Sequence, residues 1–200
     1  MDAGTNTKAP PTLAPPGRGL PLWERLSINY VALPRFFRAT TWEQRVAMFE
    51  KNGRRVLEVA AANEGRLLER ALVPRLPGLE DSSRYWSVSM VMEHLITVGS
   101  DMAELIVQLT LGQVPDRLVS IAAYKPKGAK TAEAQRAEFD AFLADFRHAM
   151  TTRVGDPRSR TTFRHPWFGR RTAGDWLGIA ALHQALHRKQ AQLIAAQLKG

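Results

Sequence analysis

The residues best placed for chemistry are His183 and His187, four apart in "ALHQALHRKQ" near the end of the 200-residue chain. Trp176, Ile179, Ala180, Gln190 and Ile194 recur around them at steps of three and four, so both rings fall on the apolar stripe of one helix. Side by side at i and i+4, two imidazoles reach a single ion. A third from a facing helix completes three protein ligands and leaves positions open. His94 supplies that third ring, one step from Leu95 and three from Val91 on another apolar stripe. At roughly 1.5 Å of rise per residue, His94 lies about 10 Å along its helix and the pair about 16 to 22 Å along theirs, levels that nearly coincide in an antiparallel pair. Three neutral imidazoles leave the ion's charge uncompensated, so a bound water or thiol is acidified toward its anion, which suits hydrolysis or thiol transfer. Any one of these histidines alone is better explained as a satisfied core or boundary residue, and HxxxH is common in helices by chance. The conjunction of three inward rings is what points to a metal. "HQALH" lacks the glutamate of HExxH, which disfavours peptide hydrolysis by that route.

A second group of candidates lies just before the histidine pair. "TTRVGDPRSRTTFRHPWFGRR" carries Arg153, Arg158, Arg160, Arg164, Arg170 and Arg171 against the single acid Asp156. Its bland reading is a solvated basic loop; its sharper one is a dock for an anionic ligand, since guanidinium groups clamp carboxylates and phosphates. Because the segment leads directly into the ligand-bearing helix, Arg164 is the expected substrate-binding residue. His165, before Pro166, either orients a ligand or is an ordinary loop histidine. Glu93, Asp101 and Glu104 share the helix of His94, but surface carboxylates are the commoner outcome and none is assigned as a general base.

Composition sets the frame. Two hundred residues with 44% hydrophobic content build one ordinary domain. There is no cysteine, which removes disulfides, thiolate metal sites and a cysteine nucleophile; thiol chemistry would need a thiol from outside. The net charge of +9 invites a nucleic-acid reading. Yet the basic residues are spread along the chain among acids and no base-reading motif accompanies them, so no specific nucleic-acid partner is expected. The first twenty-one residues, rich in proline, alanine and glycine, read as a disordered leader, with the domain over 22–200. No apolar run suits a signal peptide or a membrane span, so a cytoplasmic protein with no membrane partner is expected.

Four amphipathic segments must position the histidines. Pro34 denies the arm at 22–40, "PLWERLSINYVALPRFF", a long continuous helix, and the arm packs across the domain or against a second subunit of a homodimer. The first long helix starts at Thr41, which forms a capping box with Gln44, and runs to about Ala71. Its stripe includes Gly53, which permits either a close helix approach or a break after Asn52. The second, capped by Ser87, runs to about Leu111, and a long connection then suits a crossover between parallel helices. The third starts near Thr131 and turns Phe139, Phe142, Leu143, Phe146 and Met150 inward, leaving His148 solvated. The fourth starts at Thr172 with Asp175 completing a capping-box-like pattern. A short hairpin around "TTFRHPWFG" is possible but unneeded. The fold class is all-α, a four-helix bundle.

Two stretches resemble the signatures of the DinB-like (YfiT-like) superfamily: "YWSVSMVMEHL", with a Trp-Ser pair ahead of a ligand histidine, and "HPWFGRRTAGDWLGIAALHQALHRKQ", with an HPxFG loop leading into HxxxH and a trailing glutamine. The resemblance spans about residues 41 to 198. It implies up-down-down-up topology, a metal triad at His94, His183 and His187, and zinc, nickel or iron as the ion. It also implies, for some relatives, transfer or isomerisation using low-molecular-weight thiols. The expected function is a metal-dependent transferase or hydrolase acting on a small-molecule substrate. The alternative is a non-catalytic helical binding module whose basic surface meets nucleic acid or another acidic partner.

Overall fold

The computed structural model describes residues 11–116 and 121–199. A helical arm, α1 (Leu22–Ser27) and α2 (Leu33–Ala39), precedes four long helices: α3 (Trp42–Ala61), α4 (Val88–Thr110), α5 (Ala132–His148) and α6 (Ala173–Lys199). Each long helix starts where a short side chain satisfies a free backbone N–H, as the sequence indicates. Thr41 Oγ1 accepts from the Gln44 amide while Gln44 Oε1 accepts from that of Thr41; Ser87 and Thr131 cap α4 and α5; Thr172 and Asp175 bond reciprocally at the start of α6.

Contacts fix the helix directions. Arg45 Nη1 donates to the Gly174 carbonyl, and a Cβ on Gly53 would sit 3.0 Å from Gln184 Nε2, so α3 and α6 run parallel. Trp42 Nε1 donates to the Met150 carbonyl while Arg136 pairs with Glu64, which sets α5 antiparallel to α3. Phe142 lies against Gly99 and Arg153 pairs with Glu104, so α4 and α5 run parallel. The result is the up-down-down-up bundle. Two glycines let its helices close: an added Cβ would lie 2.3 Å from Leu143 Cδ2 at Gly53 and 2.3 Å from Phe142 Cζ at Gly99. Between them Phe49 stacks on Phe146 at 3.6 Å, and Val56, Leu95, Ile106 and Phe139 are buried.

The parallel α4–α5 pair forces the chain to climb back along α4. A 3₁₀ turn, Ile121–Tyr124, reaches the level of His94, and Glu93 then accepts from the amides of Lys127 and Gly128.

Three expectations need correction. α3 stops at Ala61, well short of Ala71: Asn63 turns its amide onto the Val59 carbonyl, a 3₁₀ turn follows at Glu64–Arg66, and Ala71 pairs with Trp86 in a short ladder, β1 (Ala71–Leu72) with β2 (Tyr85–Trp86). Leu67 stays buried, so the apolar period outlasted the helix. Pro34 does not interrupt the arm, because a π turn at Ile28–Ala32 joins α1 to α2 and proline falls in the first turn of α2, where its missing N–H costs least. The leader is partly held: Ala14 N donates to Asp81 Oδ2, Gly17 N and Gly19 N donate to Glu80 Oε1, and Leu20 is buried, while residues 1–10 lie outside the described residues.

The hairpin does form. β3 (Thr162–His165) pairs antiparallel with β4 (Gly169–Thr172), His165 facing Gly169 across a tight loop that Gly169 closes at φ +77°. Among the described residues no helix is long and apolar enough to cross a membrane.

Candidate metal centre

His94 sits in the second turn of α4, while His183 and His187 sit one turn apart on α6, which packs against α4 along the bundle. The antiparallel pairing brings the three to one level. One nitrogen from each ring falls within 4.8 Å of the others, and His94 Nε2 lies 3.2 Å from His183 Nε2. Two imidazole nitrogens on a tetrahedral ion, each about 2.0–2.1 Å from it, are about 3.3–3.4 Å apart. The first pair already has that spacing.

Hydrogen bonds decide which nitrogen each ring offers. His94 Nδ1 donates to the Tyr124 carbonyl at 2.7 Å, which leaves Nε2 with its lone pair. Gln190 Nε2 donates to the Ser83 carbonyl at 2.7 Å, so the amide's oxygen faces His187, and His187 Nδ1 donates to it at 2.7 Å. Again Nε2 is the free nitrogen. Burial pushes the His94 imidazolium down to about 4, with the Tyr124 bond opposing it, and burial holds His183 and His187 well below the usual histidine value. All three are therefore neutral at pH 7, the form that ligates. Trp86 stacks on His187 at 5.8 Å and tilts over His94 at 5.0 Å, shielding the cluster from water on that side.

On the other side the rings form the floor of a cavity of about 120 Å³. Val98, Met102 and Leu105 of α4 and Trp176 of α6 make its apolar wall. Asp101, Tyr124, Lys125 and His165 bring polarity, Tyr124 Oη donating to Asp101 Oδ2 at 2.6 Å. Lys125 is pinned by Glu80 at 2.7 Å and by Ser83 Oγ at 2.8 Å. The Glu80 carboxyl stays below the usual range: burial raises it, and Lys125, Gly19 and Ser82 together outweigh that.

The expected substrate residue is elsewhere. Alternation along β3 turns Phe163 and His165 inward and sends Arg164 outward, exposed and away from the cavity wall. Three other arginines of that stretch are engaged away from it: Arg153 with Glu104, Arg170 with Thr162, and Arg171 with Asn29. Of the three carboxylates on α4, only Asp101 lines the cavity. Tyr124, Lys125 and Glu80 were not anticipated, since "AAYKPKG" carries no spacing signal and its role depends on the chain's return past His94. Trp86 was visible only as a letter of the first signature, and Gln190 as a member of the apolar stripe and the trailing glutamine of the second.

The fold and the site together define a four-helix bundle in which three histidines converge. The chain belongs to the DinB superfamily, whose family profile matches residues 48–191. Its sequence is also similar to that of a solved four-helix bundle protein, TT2238, at 25% identity over 76% of this chain and 98% of that one, with a TM-score of 0.47. No curated protein matches the chain.

Proposed function

We propose that His94, His183 and His187 hold one divalent ion, zinc, nickel or iron, and that the protein is a metal-dependent enzyme acting on a small molecule by transfer of a low-molecular-weight thiol or of water. The observation that carries this reading is the pair of fixed tautomers: the Nδ1–H groups of His94 and His187 donate to Tyr124 and Gln190, so both leave Nε2 bare in a cluster whose candidate ligand atoms lie within 4.8 Å of one another. A histidine cluster serving only as core packing has no need of neutral rings with aligned lone pairs. When bound, the ion acts as a Lewis acid that lowers the pKa of a thiol or water. The chain's own residues orient the ligands, shield them with Trp86, and offer a cavity that is apolar along α4 and polar at Asp101, Tyr124 and Lys125.

Elemental analysis of protein purified without a histidine tag tests the proposal: one ion per chain in the wild type and a negligible amount in His187→Ala. Equal, negligible metal in both would remove it. The basic surface supports at most weak, salt-sensitive nucleic-acid binding, because arginines such as Arg54, Arg147 and Arg153 are paired with Asp140, Glu50 and Glu104. The same proposal takes the domain as residues 22–200, working in the cytoplasm as a homodimer. What favours a dimer is the arm's outward face, where Leu22, Trp23, Leu26 and Tyr30 are exposed. Analytical ultracentrifugation decides it.

A further inference from the structure

A fourth histidine has the opposite tautomer. His165 Nδ1 accepts the Trp167 backbone N–H at 3.1 Å, so this nitrogen carries a lone pair and no proton. Burial keeps the ring neutral, its pKa held down to about 3, with Arg171 adding to the effect. A neutral ring whose Nδ1 is an acceptor must carry its hydrogen on Nε2. Phe168 stacks on the ring at 4.6 Å and Trp176 packs against it at 5.0 Å, which fixes its plane. The ring lines the same cavity as His94, His183 and His187. Among the described residues Nε2–H has no acceptor, and it is not one of the sealed, unsatisfied atoms of the core. Neither bonded nor sealed, on a ring that lines the cavity, this N–H is available to a ligand there.

The contrast with His94 and His187 sets its role. Those rings give up Nδ1–H and offer a lone pair; His165 gives up its lone pair and offers a proton. It is thus unsuited to be a fourth metal ligand and suited to bind an acceptor beside the metal. Resting on the metal reading above, we propose that His165 is a substrate-binding donor, and that the pocket takes a small organic oxyanion. One oxygen faces the ion, the same head accepts from His165 Nε2–H, and an apolar body lies along Val98, Met102, Leu105 and Trp176. Within hydrogen-bond reach of a bound anion, such a buried neutral donor gives direction without adding a charge that would compete with the ion.

Benzoate is a suitable probe, added to the cobalt(II)-loaded protein while the visible ligand-field spectrum reports its arrival. The wild type should saturate. His165→Phe keeps the ring's volume and stacking but has no donor, and should bind benzoate about 10- to 100-fold more weakly, as expected for losing one hydrogen bond to a charged group. His165→Gln restores an N–H near the same place and should recover most of the loss, while Arg164→Ala should change nothing. Cobalt content should stay the same in all four proteins. Failure of cobalt to bind the wild type would sink the metal reading itself. With cobalt bound, equal benzoate affinity in wild type and His165→Phe, no wild-type binding at tens of millimolar, or loss of the metal from His165→Phe alone would each overturn the donor assignment.

Discussion

Replacing Gln190 separates two jobs that one buried amide performs. Gln190 is fully buried, with its oxygen taking the His187 Nδ1 proton and its nitrogen serving the Ser83 carbonyl, both at 2.7 Å. Gln190→Leu removes both bonds at similar volume. His187 then loses the partner that selects its tautomer, and loss of such an outer partner weakens metal affinity by about 10- to 100-fold. The Ser83 carbonyl and the His187 N–H are left without partners, each costing about 1–3 kcal/mol, partly offset because the amide no longer needs desolvation. The net loss of about 2 kcal/mol should lower the melting temperature of the metal-free protein by about 4–8 °C. Gln190→Glu distinguishes the two jobs, since a carboxylate accepts from His187 as well as the amide does but cannot donate to Ser83. It should keep zinc affinity within a few-fold of wild type and still lose stability. Competition with a chromophoric chelator gives the affinities, and thermal unfolding followed by circular dichroism gives the stabilities. If Gln190→Leu binds zinc as tightly as wild type, the amide does not orient His187 and the tautomer reasoning fails.

The metal-free protein should lose stability as pH falls from about 6.5 toward 4. His94 titrates near 4 and His165 near 3 when folded against an unfolded value of 6.5, so the unfolded chain binds more protons throughout that window. Each such histidine adds a slope of up to about 1.4 kcal/mol per pH unit, and urea unfolding at a series of pH values that showed a flat profile would contradict their burial as neutral rings. The stability they give is fully present above 6.5, and acid should eject any bound ion over the same range, followed by dialysis and elemental analysis. Gly99→Ala should lose about 1–3 kcal/mol, because its Cβ would meet the Phe142 ring at 2.3 Å; a neutral substitution in chemical denaturation would mean that α4 and α5 separate easily there. Arg45→Met should loosen the arm, as its guanidinium donates to the Phe37, Thr40 and Gly174 carbonyls; proteolysis within 22–40 should quicken several-fold, and an unchanged rate would show that Phe37 packing alone holds the arm.

Much of the architecture was legible because its determinants are local. Thr41, Ser87, Thr131 and Thr172 each cap a helix with groups at most three residues away, and the inward stripes carry His94, His183 and His187 whatever the rest of the chain does. The end of α3 was not legible: Leu67 keeps the helical period, yet Ala71 is claimed by Trp86, a partner known only after folding. The hairpin shows the same division sharply. "TTFRHPWFGRR" announces positive charge, and Arg164 drew the functional assignment. Whether Arg164 or His165 enters the cavity turns on strand parity, and a single step along β3 exchanges them. Lys125 and Glu80 meet across a long stretch of sequence, so nothing near either residue announced the pair.

The return segment between α4 and α5 has a consequence for how such a bundle diversifies. Two parallel helices oblige the chain to double back by about 34 Å, the length of a 23-residue helix such as α4, so a connection of this extent is a debt of the topology and not an ornament. Here the same stretch supplies the carbonyl that orients His94, the hydroxyl that meets Asp101 and the ammonium beside Glu80. One exchangeable stretch of sequence therefore sets both the grip on the ion and the shape of what approaches it, while the helices that carry the histidines stay untouched. Grafting residues 121–128 from a relative into this chain would be expected to move ligand preference and metal affinity together, as linked traits inherited through a single loop.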